Sequence, residues 1–409
     1  MTTSSLQTGW PAPDADVRPA PGERLLRWII VLSLVGYPIA GVAAVVLNTD
    51  SRNTSLPFRI LVDLLAVAGL LTALIARSRF RLDLPIIVFL GLYLLRLMFD
   101  LGRPDMPTTG EDLLFYVSTV LIPIAGAAPL ASAWNQRTAA MTMLAVGCGV
   151  SVVTLIVQFS GIGAERSLTE TTGRLRFDTV DPITFGHIGV STLLAALVAW
   201  GGCGRLQRVL LLAACAPAVA VLVLANSRSP YLALVAAIML LLLARRRWAL
   251  MAAAAAVGLG VFFSDSIQSA LAGSRLVTFR DNSAMERMIT QSNSIDEFSA
   301  HPLFGSGYID PITQQYPHNL FIESAIALGV VGLGLYAWIT LQAAYRSFTA
   351  IGRGELLLPL MFCQFFVLGQ LSSSFFGSGA LMLTMIMLSA RARRDDAAQS
   401  IDYKPHHVE

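Results

Sequence analysis

The chain has little charge. Only 13% of its 409 residues are Asp, Glu, Lys or Arg, against 55% that are hydrophobic. A soluble domain carries roughly a quarter charged residues, so this chain has too few to cover a water-facing surface. Lysine is almost missing: Lys404 stands alone, and every other basic side chain is arginine. The four cysteines (Cys148, Cys203, Cys215 and Cys363) lie in or beside apolar segments and show neither metal-ligand nor disulfide-framework spacing. They read as small packing residues. No phosphate loop, dinucleotide fingerprint, metal-ligand cluster or nucleophile elbow occurs. These absences argue against a cytoplasmic nucleotide-using enzyme, and no metal, cofactor or nucleic-acid partner is expected.

What the chain has in quantity is apolar runs, each about the length that crosses a bilayer core of ~30 Å. They predict an all-α, polytopic transmembrane bundle of about twelve helices. These lie near 28–47, 56–76, 84–99, 112–131, 139–160, 183–201, 206–225, 229–244, 248–263, 318–345, 355–372 and 377–390. The organisation that follows is a disordered, Pro- and Ala-rich segment 1–27, nine helices over 28–263 and a large polar loop 264–317. Three helices over 318–390 and a tail 391–409 complete it. The apolar runs begin too late, and are too many, for a cleavable signal peptide.

The arginines orient this map. With the N-terminus cytoplasmic, segments on that side hold twice as many basic residues as segments on the other, including "RSRFR" (77–81) and "ARRRW" (244–248). That is the bias expected of inner loops, and it puts both termini in the cytoplasm. Two outer segments are longer than a connection needs, about 161–182 and 264–317. Loops of such length are usually functional. Within the second, "SAMERMITQSNSIDEFSA" has the spacing of an amphipathic helix.

Outer arginines run against the charge bias, so each needs a reason. Arg174 and Arg176 stand in "GRLRFDTVDPITFGH", Arg228 in the tight turn "NSRSPYL", and Arg287 in "AMERMIT". A guanidinium at a membrane boundary suits a phosphate or diphosphate; it also suits snorkelling, or pairing with Asp178, Asp181 or Glu286. His318 stands at the first turn of the tenth helix, where it reads either as a helix-start residue or as a proton acceptor. Asn319 and Glu323 lie one turn apart beside it. His187 and His301 read as structural. Asp63 and Arg96, both at membrane depth, suggest a pair with each other, with a proton relay the weaker alternative. The acidic residues of the large loop, Asp310 among them, read as sugar-hydroxyl ligands or as partners of Arg280 and Arg287.

Four stretches taken together resemble the O-antigen ligase and polymerase superfamily of bacterial envelope glycosyltransferases. They are "GRLRFDTVDPITFGHIG", "NSRSPYLALVAAIMLLLLARRR", "ERMITQSNSIDEFSAHPLFGSGY" with its Pro302, Gly305 and Gly307, and "PHNLFIESAIALGVVGLGLY". The resemblance spans about 174–338. It implies a metal-independent, inverting glycosyltransferase of the bacterial inner membrane with a periplasmic site. Its donor would be a glycan on undecaprenyl diphosphate. Arg176, Arg228 and Arg287 match diphosphate-holding positions, with Arg174 a substitute for Arg176. His318 matches the general base, supported by Asn319 and Glu323. The acceptor would be another lipid-linked glycan (a polymerase), or lipid A-core or a protein (a ligase). The polymerase is preferred because nothing obvious recognises lipid A-core. The remaining partners implied are membrane lipids and a chain-length regulator. A lipid-linked-glycan transporter is the rival of a different class, but transporters usually show internal repeats, and this chain shows none.

Overall fold

The computed structural model describes residues 21–78, 83–162, 174–177, 180–253 and 282–402. Among the described residues the chain is all-helical. Helix α1 (Pro21–Val31) runs through a π turn (Leu32–Gly36) into α2 (Tyr37–Val46), and α3 (Ser51–Ile75) and α4 (Leu84–Asp100) follow. The run expected as one helix over 112–131 divides into α5 (Thr109–Tyr116), a π turn, α6 (Ile122–Ala127) and a 3-10 turn over Ala128–Ala133. Pro123 and Pro129 each remove a backbone donor there, which breaks regular α-geometry. Next come α7 (Gln136–Ser160), α8 (Pro182–Trp200), α9 (Arg205–Ala225) and α10 (Arg228–Ala244). The polar helix α11 (Asn282–Ala300) precedes α12 (Leu320–Gly352), α13 (Leu357–Ser372) and α14 (Gly379–Asp402).

Seven described segments are long and apolar enough to cross a membrane, and α10, α13 and the start of α14 are shorter apolar helices. Large apolar side chains such as Leu64, Leu71 and Leu74 on α3 and Val209, Leu212 and Val223 on α9 stand exposed. Such a surface is stable only against lipid, so the chain is a multi-pass membrane protein. Most of the expected ninth helix and the first part of the large loop lie outside the described residues, as do 1–20 and 403–409. Helix α1 takes up residues 21–27 of the segment expected to be unstructured, and α14 continues into the expected tail.

One end of the bundle gathers the irregular backbone. It holds the starts of α8, α10 and α12, the end of α13 and the turn 301–307. Helix α12 is interrupted at Gly329, whose φ of 66° and ψ of −156° belong to a region open essentially to glycine alone. The break frees backbone groups that must be satisfied inside the protein, because lipid offers no partner. The turn satisfies them. Ser306 and Gly307 donate to the Ile326 carbonyl at 2.9 and 3.3 Å, and Val330 N–H donates to the Pro302 carbonyl at 2.8 Å. Gly305, also at positive φ (69°), lets the backbones meet: a Cβ there would stand 2.1 Å from the Ile326 oxygen. The Pro302–Gly305–Gly307 pattern is therefore a backbone clip on a broken helix.

Arg96 of α4 and Arg103, three residues past its end, fasten the same turn. Both donate to the Ser306 carbonyl, and both pair with buried Asp100, at 2.6 and 3.0 Å. This corrects the expected Asp63–Arg96 pair. Asp100 lies one turn from Arg96 on the same helix and meets it bidentately, through Nε at 2.9 Å and Nη2 at 2.6 Å. Gly329→Ala places a side chain in the glycine-only region and 2.2 Å from the Leu303 carbonyl oxygen. The backbone term alone is of order 1–3 kcal/mol. The expected result in a detergent thermal-melt assay is a clear loss of stability and of folded yield; an unchanged melt would contradict the clip.

Candidate active site at the head of helix α12

The head of α12 is built from the loop before it. Asp310 is fully buried and organises residues 310–315. Its carboxylate accepts from Ile312 N–H (3.0 Å), Thr313 N–H (3.2 Å) and the Thr313 hydroxyl (2.7 Å), and from Asn293 Nδ2 of α11 at 2.9 Å. So Asp310 is spent on holding the loop to α11, which corrects the expectation of a sugar ligand or an arginine partner. Tyr308 anchors the near side, its hydroxyl donating to Asp112 Oδ2 on α5 at 2.7 Å. Gln291 Nε2 of α11 holds the Pro317 carbonyl at 3.2 Å.

His318 follows in the left-handed region, at φ 56°. Histidine tolerates this region better than most residues, but the conformation needs its surroundings to enforce it. The turn it makes lets Asn319 cap α12: the Asn319 Oδ1 accepts from Phe321 N–H at 3.0 Å and Ile322 N–H at 3.2 Å. Asn319 Nδ2 reaches across to the Gln370 carbonyl at 3.4 Å. Arg287 Nη1 of α11 donates to the next carbonyl, Leu371, at 3.0 Å. The last carbonyls of α13, left without intrahelical partners, are thus met by two of the expected site residues. A cation at a helix C-terminus also complements the helix dipole.

His318 and Arg287 lie within electrostatic reach of each other. Burial first, and the Arg287 charge second, lower the His318 pKa from its ordinary value to about 4. The imidazole is therefore neutral at physiological pH. Its Nδ1 is buried and has no hydrogen-bond partner among the described residues. The Tyr316 ring packs against it, with centroids 4.3 Å apart. Tyr316 is itself pushed up to about 12, chiefly by burial, and it feels Asp181, Glu323, Arg287 and Asp112. This tyrosine joins the α11–α12 side of the site to the α8 side. Sequence reasoning passed it over, although an aromatic residue just before Pro-His was the available signal.

The remaining arginines sit around the start of α10. Leu175 N–H donates to the Leu224 carbonyl at 2.8 Å and Arg174 Nε to the Ala225 carbonyl at 3.4 Å, so the stretch 174–177 lies along the end of α9. Arg174 is half-buried there and Arg176 exposed. Three residues past Ala225, Arg228 opens α10. A buried polar network fixes this helix start. His187 Nε2 is bonded to the Ser229 hydroxyl at 3.0 Å, and Gln364 Nε2 of α13 donates to the His187 carbonyl at 2.9 Å and to Ser191 at 2.7 Å. Asp181 caps α8 through Thr184 N–H at 2.6 Å. His301 lies apart from the site, 3.6 Å from Glu297.

Glu323 points into the bundle. Its Oε1 accepts from Tyr93 of α4 (2.5 Å), Ser374 (2.7 Å) and Phe375 N–H (3.1 Å), and the carboxylate is fully buried. Phe89, Tyr93, Tyr336 and Phe375 pack around it, with Phe375 centroids 4.9 to 5.2 Å from the other three. Asn319 and Glu323 therefore both hold the 370–375 segment. Glu323→Leu strands two hydroxyls and an N–H, each at about 1–3 kcal/mol. The expected outcome is severe loss of thermal stability; Glu323→Gln, which keeps an acceptor, should fall between. Equal stability of all three proteins would contradict this arrangement.

Residues 209–337 match the family described as O-Antigen ligase. The matched segment runs from α9 into α12 and contains Arg228, Arg287 and His318, while Arg174 and Arg176 precede it. No curated protein matches the chain. The resemblance to the O-antigen ligase and polymerase superfamily is thereby supported, and with it an enzyme of that general type.

Proposed function

We propose that this chain is a polysaccharide polymerase of the inner membrane. It transfers a glycan from undecaprenyl diphosphate onto another lipid-linked glycan at the periplasmic face, with both termini in the cytoplasm. The acceptor hydroxyl gives its proton to His318, and its oxygen forms a bond to the donor's anomeric carbon. The bond from that carbon to the diphosphate breaks, and the diphosphate leaves with the electron pair. Attack opposite the leaving group inverts the anomeric centre.

The observation that supports this reading is that His318 at the head of α12 lies within electrostatic reach of Arg287. A base must be unprotonated before it can accept, and a neutral imidazole beside a guanidinium meets that condition. Arg287 lowers proton affinity in the empty site. A diphosphate bound to it offsets that charge and raises the affinity when the donor is present. Arg228, Arg176 and Arg174 are the further cations for the leaving diphosphate, which fixed donors stabilise as its charge develops. Arginine is suited to the task because it keeps its charge near lipid and offers a planar fork.

The test uses purified protein in liposomes with an undecaprenyl-diphosphate oligosaccharide. Release of free lipid diphosphate and the size of the glycan product are both followed. A ladder of longer lipid-linked glycans is expected from the parent. His318→Ala should lower kcat by about 10²–10⁴-fold, the usual share of general-base catalysis. Turnover that starts only when lipid A-core is added would replace the polymerase with the ligase. Full turnover in the His318 variant would remove the proposed base.

A further inference from the structure

Beside the head of α12 lies a cavity of about 300 Å³ that the chemistry above does not use. Its walls are largely apolar, with Phe58, Val62, Phe365 and Leu368 among them, and Ser372 and Ser373 link it to the α13 end that Arg287 and Asn319 hold. Arg59 of α3 is on its wall. The guanidinium lies over the Phe115 ring, 5.1 Å from its centroid, and its Nε is buried with no acceptor among the described residues. Two hydroxyls of the same lining, Ser33 and Ser372, are also buried with no partner. Tyr37, on the same wall, is within electrostatic reach of Arg59.

Buried polar groups in proteins are nearly always bonded, so a cluster of unmet ones on one wall calls for a ligand. These groups are rich in donors: a guanidinium offers five N–H groups and each hydroxyl one more. A multi-oxygen anion answers them. Asp63, one turn along α3, is within electrostatic reach of Arg59, and Asp181 is on the cavity lining. Asp181 is engaged as the cap of α8, and Asp63 Oδ1, though one turn from Arg59, accepts no hydrogen bond from it. The remaining walls are hydrocarbon-like, which selects an anion carrying a hydrocarbon chain.

We propose that Arg59, with Tyr37, Ser33 and Ser372, forms an anion subsite within the bundle that holds the phosphate of a hydrocarbon-tailed phosphate ester. The tail lies against Phe58, Val62, Phe365 and Leu368. This deepens the functional reading, on which it rests only for the donor's identity. A membrane phospholipid presents the same chemistry.

The experiment is native mass spectrometry of the full chain released from phosphatidylcholine nanodiscs. One arm is doped with undecaprenyl monophosphate and the other with phosphatidylglycerol. The parent, Arg59→Gln, Arg59→Lys and Leu368→Trp, which fills the apolar part, are compared. Arg59→Gln should reduce retained undecaprenyl monophosphate about tenfold, the worth of one charge-assisted hydrogen bond. Arg59→Lys should recover part of it, and Leu368→Trp should lose it with the cation intact. A parallel loss of phosphatidylglycerol identifies a general lipid-phosphate site; loss confined to the polyprenyl ester identifies the carrier. Retention unchanged in Arg59→Gln in both arms overturns the subsite and leaves water as the cavity's occupant. Neither arm needs turnover, so a failed transfer assay with Arg59-dependent retention would sink the functional reading alone.

Discussion

The head of α12 depends on one buried carboxylate. Glu323 draws a tyrosine of α4 and the hydroxyl and N–H of the α13–α14 connection to a single point, inside a cage of aromatic rings. A carboxylate in such a place is costly unless it is fully bonded. Here the bonds are made, and they fix where α12 starts. Asn319 then caps the helix, and His318 occupies the residue before the cap in a conformation its neighbours impose. The orientation of the imidazole follows from packing several residues away.

The same logic governs the clip at Gly329. A helix broken within a lipid-facing bundle must return every freed N–H and carbonyl to the protein. The turn 302–307 does this, and Arg96, Arg103 and Asp100 hold the turn. The described part of the polar loop after α11 is thereby held twice, by the clip at 302–307 and by Asp310 at 310–315. The transfer proposed above, between two lipid-linked glycans, needs such a frame, because donor and acceptor must both be held while bulk water is kept from the anomeric carbon.

Much of this was legible in the sequence, for identifiable reasons. Membrane helices announce themselves by composition, so α3, α4, α7, α8, α9 and α13 fall within a few residues of their expected bounds. The division of the 112–131 run was signalled by Pro123 and Pro129, but not its form. The Pro302–Gly305–Gly307 pattern pointed to close backbone approach without naming the partner, since Ile326 and Gly329 lie on a helix whose apolar pattern runs on unbroken. Arg96 was assigned to Asp63 because both sit at membrane depth, whereas the nearer Asp100, one turn along, takes it. Arg59 was passed over as one more arginine inside a helix. Its significance appears only when Ser33 and Ser372, from distant helices, are found on the same cavity wall.

A diphosphate bound beside His318 must change the proton affinity of the imidazole if His318 is the base. The most direct measurement is the ¹⁵N imidazole titration of His318, with the other four histidines replaced, in the empty protein and with undecaprenyl diphosphate bound. Ionisation is expected well below the ordinary histidine range in the empty protein, near the value of about 4 set by burial and Arg287, with an upward shift when the diphosphate binds. An ordinary pKa that does not respond to the lipid would remove His318 as the base beside the diphosphate.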